Sequence, residues 1–352
     1  MKSALGHPAV LAALGAALLF GASTPLAKPL TGDLPPLLLA GLLYLGSGAG
    51  LTVVRLIRDR GWTPPHLHAH EWPWLLGAIL FGGVLGPVLL MIGLTQTPAS
   101  TASLLLNLEG VLTALLAWIA FRENTDTRIV TGMLLIVAGG IVLSWISVSP
   151  GRSGLLGPPS IAAACLCWAI DNNLTRKVSA TDSVFVGASK GLAAGTANSV
   201  LALLFVPLPA VAWSTVSAAM LVGFLGYGVS LVLFVIALRG LGAARTGAYF
   251  STAPFIGAAL AIALFAETAT PSFWIAAALM GVGVWLHLTE RHVHEHTHAA
   301  LDHAHSHVHD AHHPHAHDFE WNGEEPHAHA HRHQPLTHTH EHFPDVHHGH
   351  PH

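Results

Sequence analysis

Apolar residues run along this chain in long unbroken blocks, without the alternation of a half-buried strand or the stripe of a soluble amphipathic helix. A helix crossing about 30 Å of hydrocarbon needs roughly 20 consecutive apolar residues, because lipid offers no partner to an unpaired backbone N–H or C=O. Ten stretches meet that demand: Pro8 to Lys28, Pro36 to Leu56, Trp74 to Thr95, Pro98 to Phe121, Arg128 to Ser147, Leu155 to Thr175, Ser183 to Pro207, Trp213 to Leu238, Ala243 to Ala266 and Ser272 to Thr289. Prolines stand at or near several starts (Pro8, Pro36, Pro73, Pro98, Pro159, Pro271), where a missing N–H would have no helical partner anyway. The pattern predicts an all-α membrane protein of ten transmembrane helices. The first run lacks a cleavage site and is read as a membrane helix rather than a leader. Beyond Glu290 the apolar blocks stop and a polar tail follows.

Basic residues in the short loops set the orientation. With the N-terminus inside, the cytoplasmic side collects Lys2, Arg55, Arg58, Arg60, Arg122, Arg128, Arg176, Lys177, Arg239, Arg245 and Arg291, and the outer loops hold only Lys28 and Arg152. An even number of helices then returns the C-terminus, and with it the tail, to the cytoplasm. The expected location is a bacterial-type inner or plasma membrane.

A shift of 144 residues lays Ile92 to Glu123 on Ile236 to Glu267 without a gap, matching Leu94 with Leu238, Ala99 with Ala243, Leu116 with Leu260, Phe121 with Phe265 and Glu123 with Glu267. Five helices per repeat is an odd number, so the two copies face opposite ways across the membrane. The charges agree: Arg122 and Arg128 become Ala266 and Ser272, whereas Thr95 and Thr101 become Arg239 and Arg245. The expected domains are a first five-helix repeat over 1–150, a second over 151–290 and a disordered tail over 291–352. Inverted repeats of this kind are the architecture of secondary carriers, with a substrate site near the midplane. The residues resemble the EamA-type members of the drug/metabolite transporter superfamily. The likeness rests on the first helix ending Phe20-Gly21-Ala22-Ser23-Thr24-Pro25-Leu26-Ala27-Lys28, on its counterpart Trp168-Ala169-Ile170-Asp171-Asn172-Asn173-Leu174-Thr175-Arg176, and on the endings Phe121-Arg122-Glu123 and Phe265-Ala266-Glu267. That resemblance implies carriers of metabolites, amino acids, drugs or nucleotide sugars alike, and the histidine-rich tail is not part of it.

Composition narrows the function. The chain is 52% hydrophobic and 10% charged, against roughly 25% charged in a soluble domain, which excludes a soluble enzyme. No nucleic-acid partner is implied. Cys165 and Cys167 lie in an apolar stretch and read as small buried hydrophobes. An ionisable group in the bilayer is expensive and marks a cavity or a partner. Glu109 is such a group, near the centre of the fourth helix beside Asn107, with Ser251 near the matching place in the other half. Desolvation there penalises the charged carboxylate, which suits proton coupling or cation binding; a structural pair with Lys190, or a neutral Glu hydrogen-bonded between helices, is the alternative. Asp171, Asn172 and Asn173 lie in the last turns of the sixth helix, either facing the central cavity or wetted at the interface. Lys190 is within reach of either Glu109 or Asp171 by residue count. Glu123 and Glu267 read as structural helix ends, and Gly82, Gly86, Gly191 and Gly195 as close-packing positions.

In the tail, histidine recurs at every second position: His292, His294, His296, His298; His303, His305, His307, His309; His327, His329, His331, His333. No apolar face accompanies them, so the tail is expected to be disordered. Neutral imidazole ligates Zn²⁺, Ni²⁺, Co²⁺ and Cu²⁺, and the loop histidines His66, His68 and His70 are further candidates; pH sensing is a competing use. The leading expectation is a secondary transporter, exporter or exchanger, of a small metabolite or ion by alternating access, with a metal-binding cytoplasmic tail and no required cofactor. A divalent transition-metal (Ni, Co or Zn) transporter, and a non-transporting metal-binding or sensor protein, are the alternatives. With no nucleophile and base set within the spans, an enzyme is not expected. The expected partners are a small-molecule or ion substrate and the lipid bilayer, with a homodimer as a candidate assembly.

Overall fold

The computed structural model describes residues 8–61, 67–121, 127–146, 156–175, 178, 182–207, 210–288, 293–298, 301–307, 327–333 and 336–341. His66, Glu123, His292 and His309 lie outside them. The chain divides into a helical unit, Met1–Glu290, and a second unit, Arg291–His350.

The helical unit contains α1 (Pro8–Ala27), the short α2 (Leu30–Asp33), α3 (Pro36–Arg58), α4 (Trp72–Ala78), α5 (Gly86–Gln96), α6 (Ala99–Leu105), α7 (Asn107–Phe121), α8 (Thr127–Ile146), α9 (Gly157–Thr175), α10 (Ser183–Phe205), α11 (Trp213–Gly223), α12 (Ser230–Phe250), α13 (Ala253–Phe265) and α14 (Pro271–Leu288). Among the described residues, six helical runs are long and apolar enough to cross a membrane: Pro8–Asp33, Pro36–Arg58, Ala69–Gln96, Ala99–Leu116, Thr127–Ser144 and Trp213–Ala237. The protein is therefore an all-α integral membrane protein over this unit. Helices α9 and α10 are as long but less apolar, because they carry Asp171, Asn172 and Asn173, and Lys190 and Asn198.

Two helices are interrupted by π turns, Ile79–Leu85 between α4 and α5 and Phe224–Val229 between α11 and α12. A π turn holds one surplus residue and frees carbonyls from their regular partners. Those of the first π turn are taken up by side chains. Tyr44 Oη and Trp168 Nε1 donate to Gly82 O at 2.7 and 3.0 Å, and Asn198 Nδ2 donates to Gly83 O and Val84 O at 3.3 Å each. The two π turns are separated by the same residue spacing that aligns the two halves of the sequence.

Continuous helical backbone from Ser230 to Phe250 differs from the break expected between Leu238 and Ala243. A straight helix would set Phe234 and Phe250 about 24 Å apart. Their rings lie 4.9 Å apart, and Leu233, Ala237 and Tyr249 share a cluster with Ala12 and Ala13. The chain thus reverses within this helical stretch. At the matching place in the first half, Pro98 forces Thr97 into extended backbone, ending α5 outright.

Helix α3 packs along α10, α8 along α14, α1 against α12 and α13, and α9 against α5 and α7. Glycines set the α3–α10 approach: a Cβ on Gly191 would lie 2.5 Å from Gly48 Cα, and one on Gly195 would lie 2.9 Å from Gly41 O. At one end, Arg58 donates to Asp59 and Asp182, the buried Arg55 lies 3.4 Å from Asp182 and 5.0 Å above the Phe185 ring, and Asp182 caps α10 by accepting from Val184 N at 3.0 Å. At the break after α13, Ala266 takes left-handed backbone (φ 50) and Glu267 accepts from Ala99 N and Ser100 N at 2.9 and 3.0 Å. Glu267 so caps α6, the structural use expected for it.

In the second unit the described backbone forms strands β1 (Val293–His298), β2 (Leu301–His307), β3 (His327–His333) and β4 (Leu336–Glu341), paired antiparallel as β1–β4 and β2–β3. This corrects the disorder expected for these residues. Histidine at every second position is also the period of a strand, and the ladders form without the apolar face that the expectation of disorder had required.

Candidate functional site

The chain pauses at Leu106, between α6 and α7, where Leu106 N donates to Ser103 O and Glu109 N to Leu106 O in three-residue turns. Glu109 therefore sits in the first turn of α7 rather than mid-helix, where the free N–H groups favour a negative charge. The equivalent start of α13 reads Ala253-Pro254-Phe255 and has no acid.

Glu109 is half-buried, and its Oε1 accepts from Asn172 Nδ2 on α9 at 2.9 Å. The same Asn172 amide lies 3.3 Å from Thr113 Oγ1, one turn along α7. Asn173 Nδ2 donates to Ala169 O at 2.9 Å and Thr113 O at 3.3 Å. Asn172 is exposed, and next to Glu109 the exposed Gly110 faces open space, with no atom within 4 Å of an added Cβ. The carboxylate is thus reachable, with a single side-chain amide among its contacts.

Asp171 is held differently. Lys190 Nζ on α10 lies 2.6 Å from both carboxylate oxygens, and Thr175 Oγ1 donates to Oδ1 at 2.8 Å. The carboxylate rests in the notch of the first π turn: a Cβ on Gly82 would come within 1.9 Å of Asp171 Oδ2. Of the two partners open to Lys190 in the sequence, the structure pairs it with Asp171, leaving side-chain exposures of 17% for Lys190 and 8% for Asp171. Gly82 serves this seat, where close helix packing alone was expected.

Asn107 is buried and its Nδ2 donates to Leu104 O at 2.9 Å, with Met280 Sδ at 3.9 Å, so its recorded contacts are with α6 and α14. Ser251 is half-buried in the turn between α12 and α13. Cys165 and Cys167 are free and buried. His68 and His70 stack at 5.7 Å ahead of α4, and among the described residues no three His, Cys, Asp or Glu side chains converge as a metal set. Sequence reasoning missed Thr113, Tyr44 and Trp168. Tyr44 stacks on Tyr227, at 5.6 Å, from the second π turn.

Several known proteins are similar. An uncharacterised transporter of Methanothermobacter thermautotrophicus is 26% identical over 285 residues, 77% of this chain and 83% of its own length. A probable 4-amino-4-deoxy-L-arabinose-phosphoundecaprenol flippase subunit, ArnE, of Pseudomonas aeruginosa is 41% identical over 112 residues, 30% of this chain and 93% of the relative. A solved crystal structure shares the fold at a TM-score of 0.56 and 24% identity, covering 79% of this chain and 95% of that one. Residues 7–145 and 155–289 each match the EamA-like transporter family, and on that evidence the chain belongs to this family of membrane transporters.

Proposed function

We propose that this chain is a secondary transporter, exporter or exchanger, that moves a small metabolite or ion by alternating access. In this reading ten spans form two inverted five-helix repeats with both chain ends in the cytoplasm. The packing supports it: exchanging the halves turns the contacts of α1 with α12 and α13 into those of α9 with α5 and α7, and leaves the α3–α10 and α8–α14 pairs unchanged. The reversal inside 230–250 supplies the extra crossing that a straight helix would lack.

The observation that carries the reading is the hydrogen bond from Asn172 to Glu109, which joins the two family-matched regions at an accessible carboxylate. Glu109 keeps acceptor capacity for a substrate amine, hydroxyl or cation, whereas Asp171 is occupied by Lys190 and Thr175. Asp171, Lys190 and Asn173 frame the site, Asn172 and Thr113 present the carboxylate, and Asn107 and Ser251 set the paired helix breaks. The flippase name of the Pseudomonas relative adds amphiphilic, lipid-linked amino sugars to the classes worth screening. The tail is proposed to bind Zn²⁺, Ni²⁺, Co²⁺ or Cu²⁺, which keeps a divalent metal as the second candidate cargo.

Solute and metal contents of a deletion strain, complemented with the unaltered chain, with Glu109→Gln, or with the chain cut after Arg291, test this reading. The unaltered chain should shift at least one solute and Glu109→Gln should abolish that shift. Transport unaffected by Glu109→Gln would overturn the site, and metal contents equal in every strain would remove metal as cargo.

A further inference from the structure

In an antiparallel ladder, directly opposed residues share a face with Cβ atoms about 4.5–5.5 Å apart, and every second residue along a strand shares that face as well. The β2–β3 register opposes His303 to His331, His305 to His329 and His307 to His327. All six therefore occupy one face of the ribbon. The opposite face carries Asp302 against Arg332, Ala304 against Ala330 and Ser306 against Ala328. A slip of one residue would oppose every histidine to a non-histidine, and a slip of two would separate Asp302 from Arg332. The register that forms satisfies both. The β1–β4 ladder repeats the motif, with His294 opposed to His340 and His296 to His338.

A two-stranded ribbon is marginal in water even with an apolar face, and these ribbons have none. Protonated histidines directly opposed would repel one another. The ladders therefore call for a ligand, and two adjacent rungs carry four histidines, the number of donors that a tetrahedral Zn²⁺ takes. Metal binding can also supply the folding energy that a small unit without a core lacks.

We propose that the second unit is a metal-dependent ribbon, in which rungs of opposed histidines, His303–His331, His305–His329 and His307–His327 foremost, form shared transition-metal sites. The inference deepens the metal-binding tail of the reading above and makes the sites joint property of two strands separated by about 20 residues of chain, rather than of a collective string of ligands.

Zn²⁺ titration of the full chain in detergent, against a chromophoric chelator, tests it with three variants. One carries His303, His305 and His307→Ala, one His327, His329 and His331→Ala, and one all six. Each three-site variant should lose the same tight Zn²⁺ sites that the six-site variant loses. Losses that add, each triple removing only its own share, would overturn the pairing, as would an unaltered chain with no tight Zn²⁺ site. The Glu109→Gln chain should bind Zn²⁺ like the unaltered one, so a failed transport reading and a failed ribbon are told apart.

Discussion

Glu109 and Asp171 are both carboxylates within the membrane-spanning body, and their surroundings divide the labour between them. Asp171 is saturated by Lys190 and Thr175 and pressed into the Gly82 notch, whereas Glu109 has the Asn172 amide and open space beside Gly110. Breaking a buried ion pair leaves the surviving charge desolvated, a loss of about 3–5 kcal/mol when burial is complete. Asp171→Asn and Lys190→Met should each destabilise the protein by up to that amount, and the double variant by clearly less than their sum. Thermal unfolding in detergent reads this, and additive losses would mean the pair is not coupled. The sequence marked all three ionisable residues, because charge in an apolar block is conspicuous. It left the partner of Lys190 open, since that depends on the rotation of α9 against α10. Tyr44 and Trp168 carried no signal, because an aromatic residue in an apolar span resembles any other core residue.

Among elements, the join between α3 and α10 combines glycine contact along its length with an ionic end. Burial alone would raise the Asp182 carboxyl, but the hydrogen bonds from Arg58 and Val184 N, with the charges of Arg58 and Arg55, hold it below the usual carboxylate range. A depressed value stabilises the fold at all pH above the unfolded value of about 3.9, and that contribution fades as pH falls through the folded value. Asp182→Ala should remove a helix cap and the ionic tie, a loss of about 0.5–2 kcal/mol for the cap alone. The Tm difference between the unaltered and variant proteins should be full from pH 5 to 7 and shrink below about pH 4. A difference that stayed constant down to pH 3 would show that Asp182 contributes only by its shape. Element positions were largely legible, because block length alone separates spans from loops: α3, α10 and α14 match the expected stretches within a few residues. The π turns were not legible, since one surplus residue leaves the apolar pattern unchanged. Neither was the break at Leu106, which has no glycine or proline to announce it.

For the molecule as a whole, the opposed threading of the two halves is the claim on which alternating access depends. Single cysteines placed at Gly32 and Arg60 in a chain whose Cys165 and Cys167 are replaced should react with a membrane-impermeant maleimide from opposite sides of sealed vesicles. Cysteines at Gly32 and Trp213 should react from the same side, the outer one. Any other assignment would break the ten-span topology. The repeat was legible because the 144-residue shift needs no gap across the fourth and ninth spans. The paired strands beyond residue 290 were not, because the expectation of disorder weighed the missing apolar face above the two-residue period.

The π turn ahead of α5 also fixes an angular phase. Losing one residue from Ile79–Leu85 would let the helix close into regular geometry, yet everything beyond would turn by about 100° about its axis. Leu90, Met91 and Leu94, now in the core, would swing toward lipid, and the Gly82 notch would rotate off Asp171. The surplus residue thus works as a rotary offset, and chain length within those seven residues is constrained as tightly as chemistry is at Glu109.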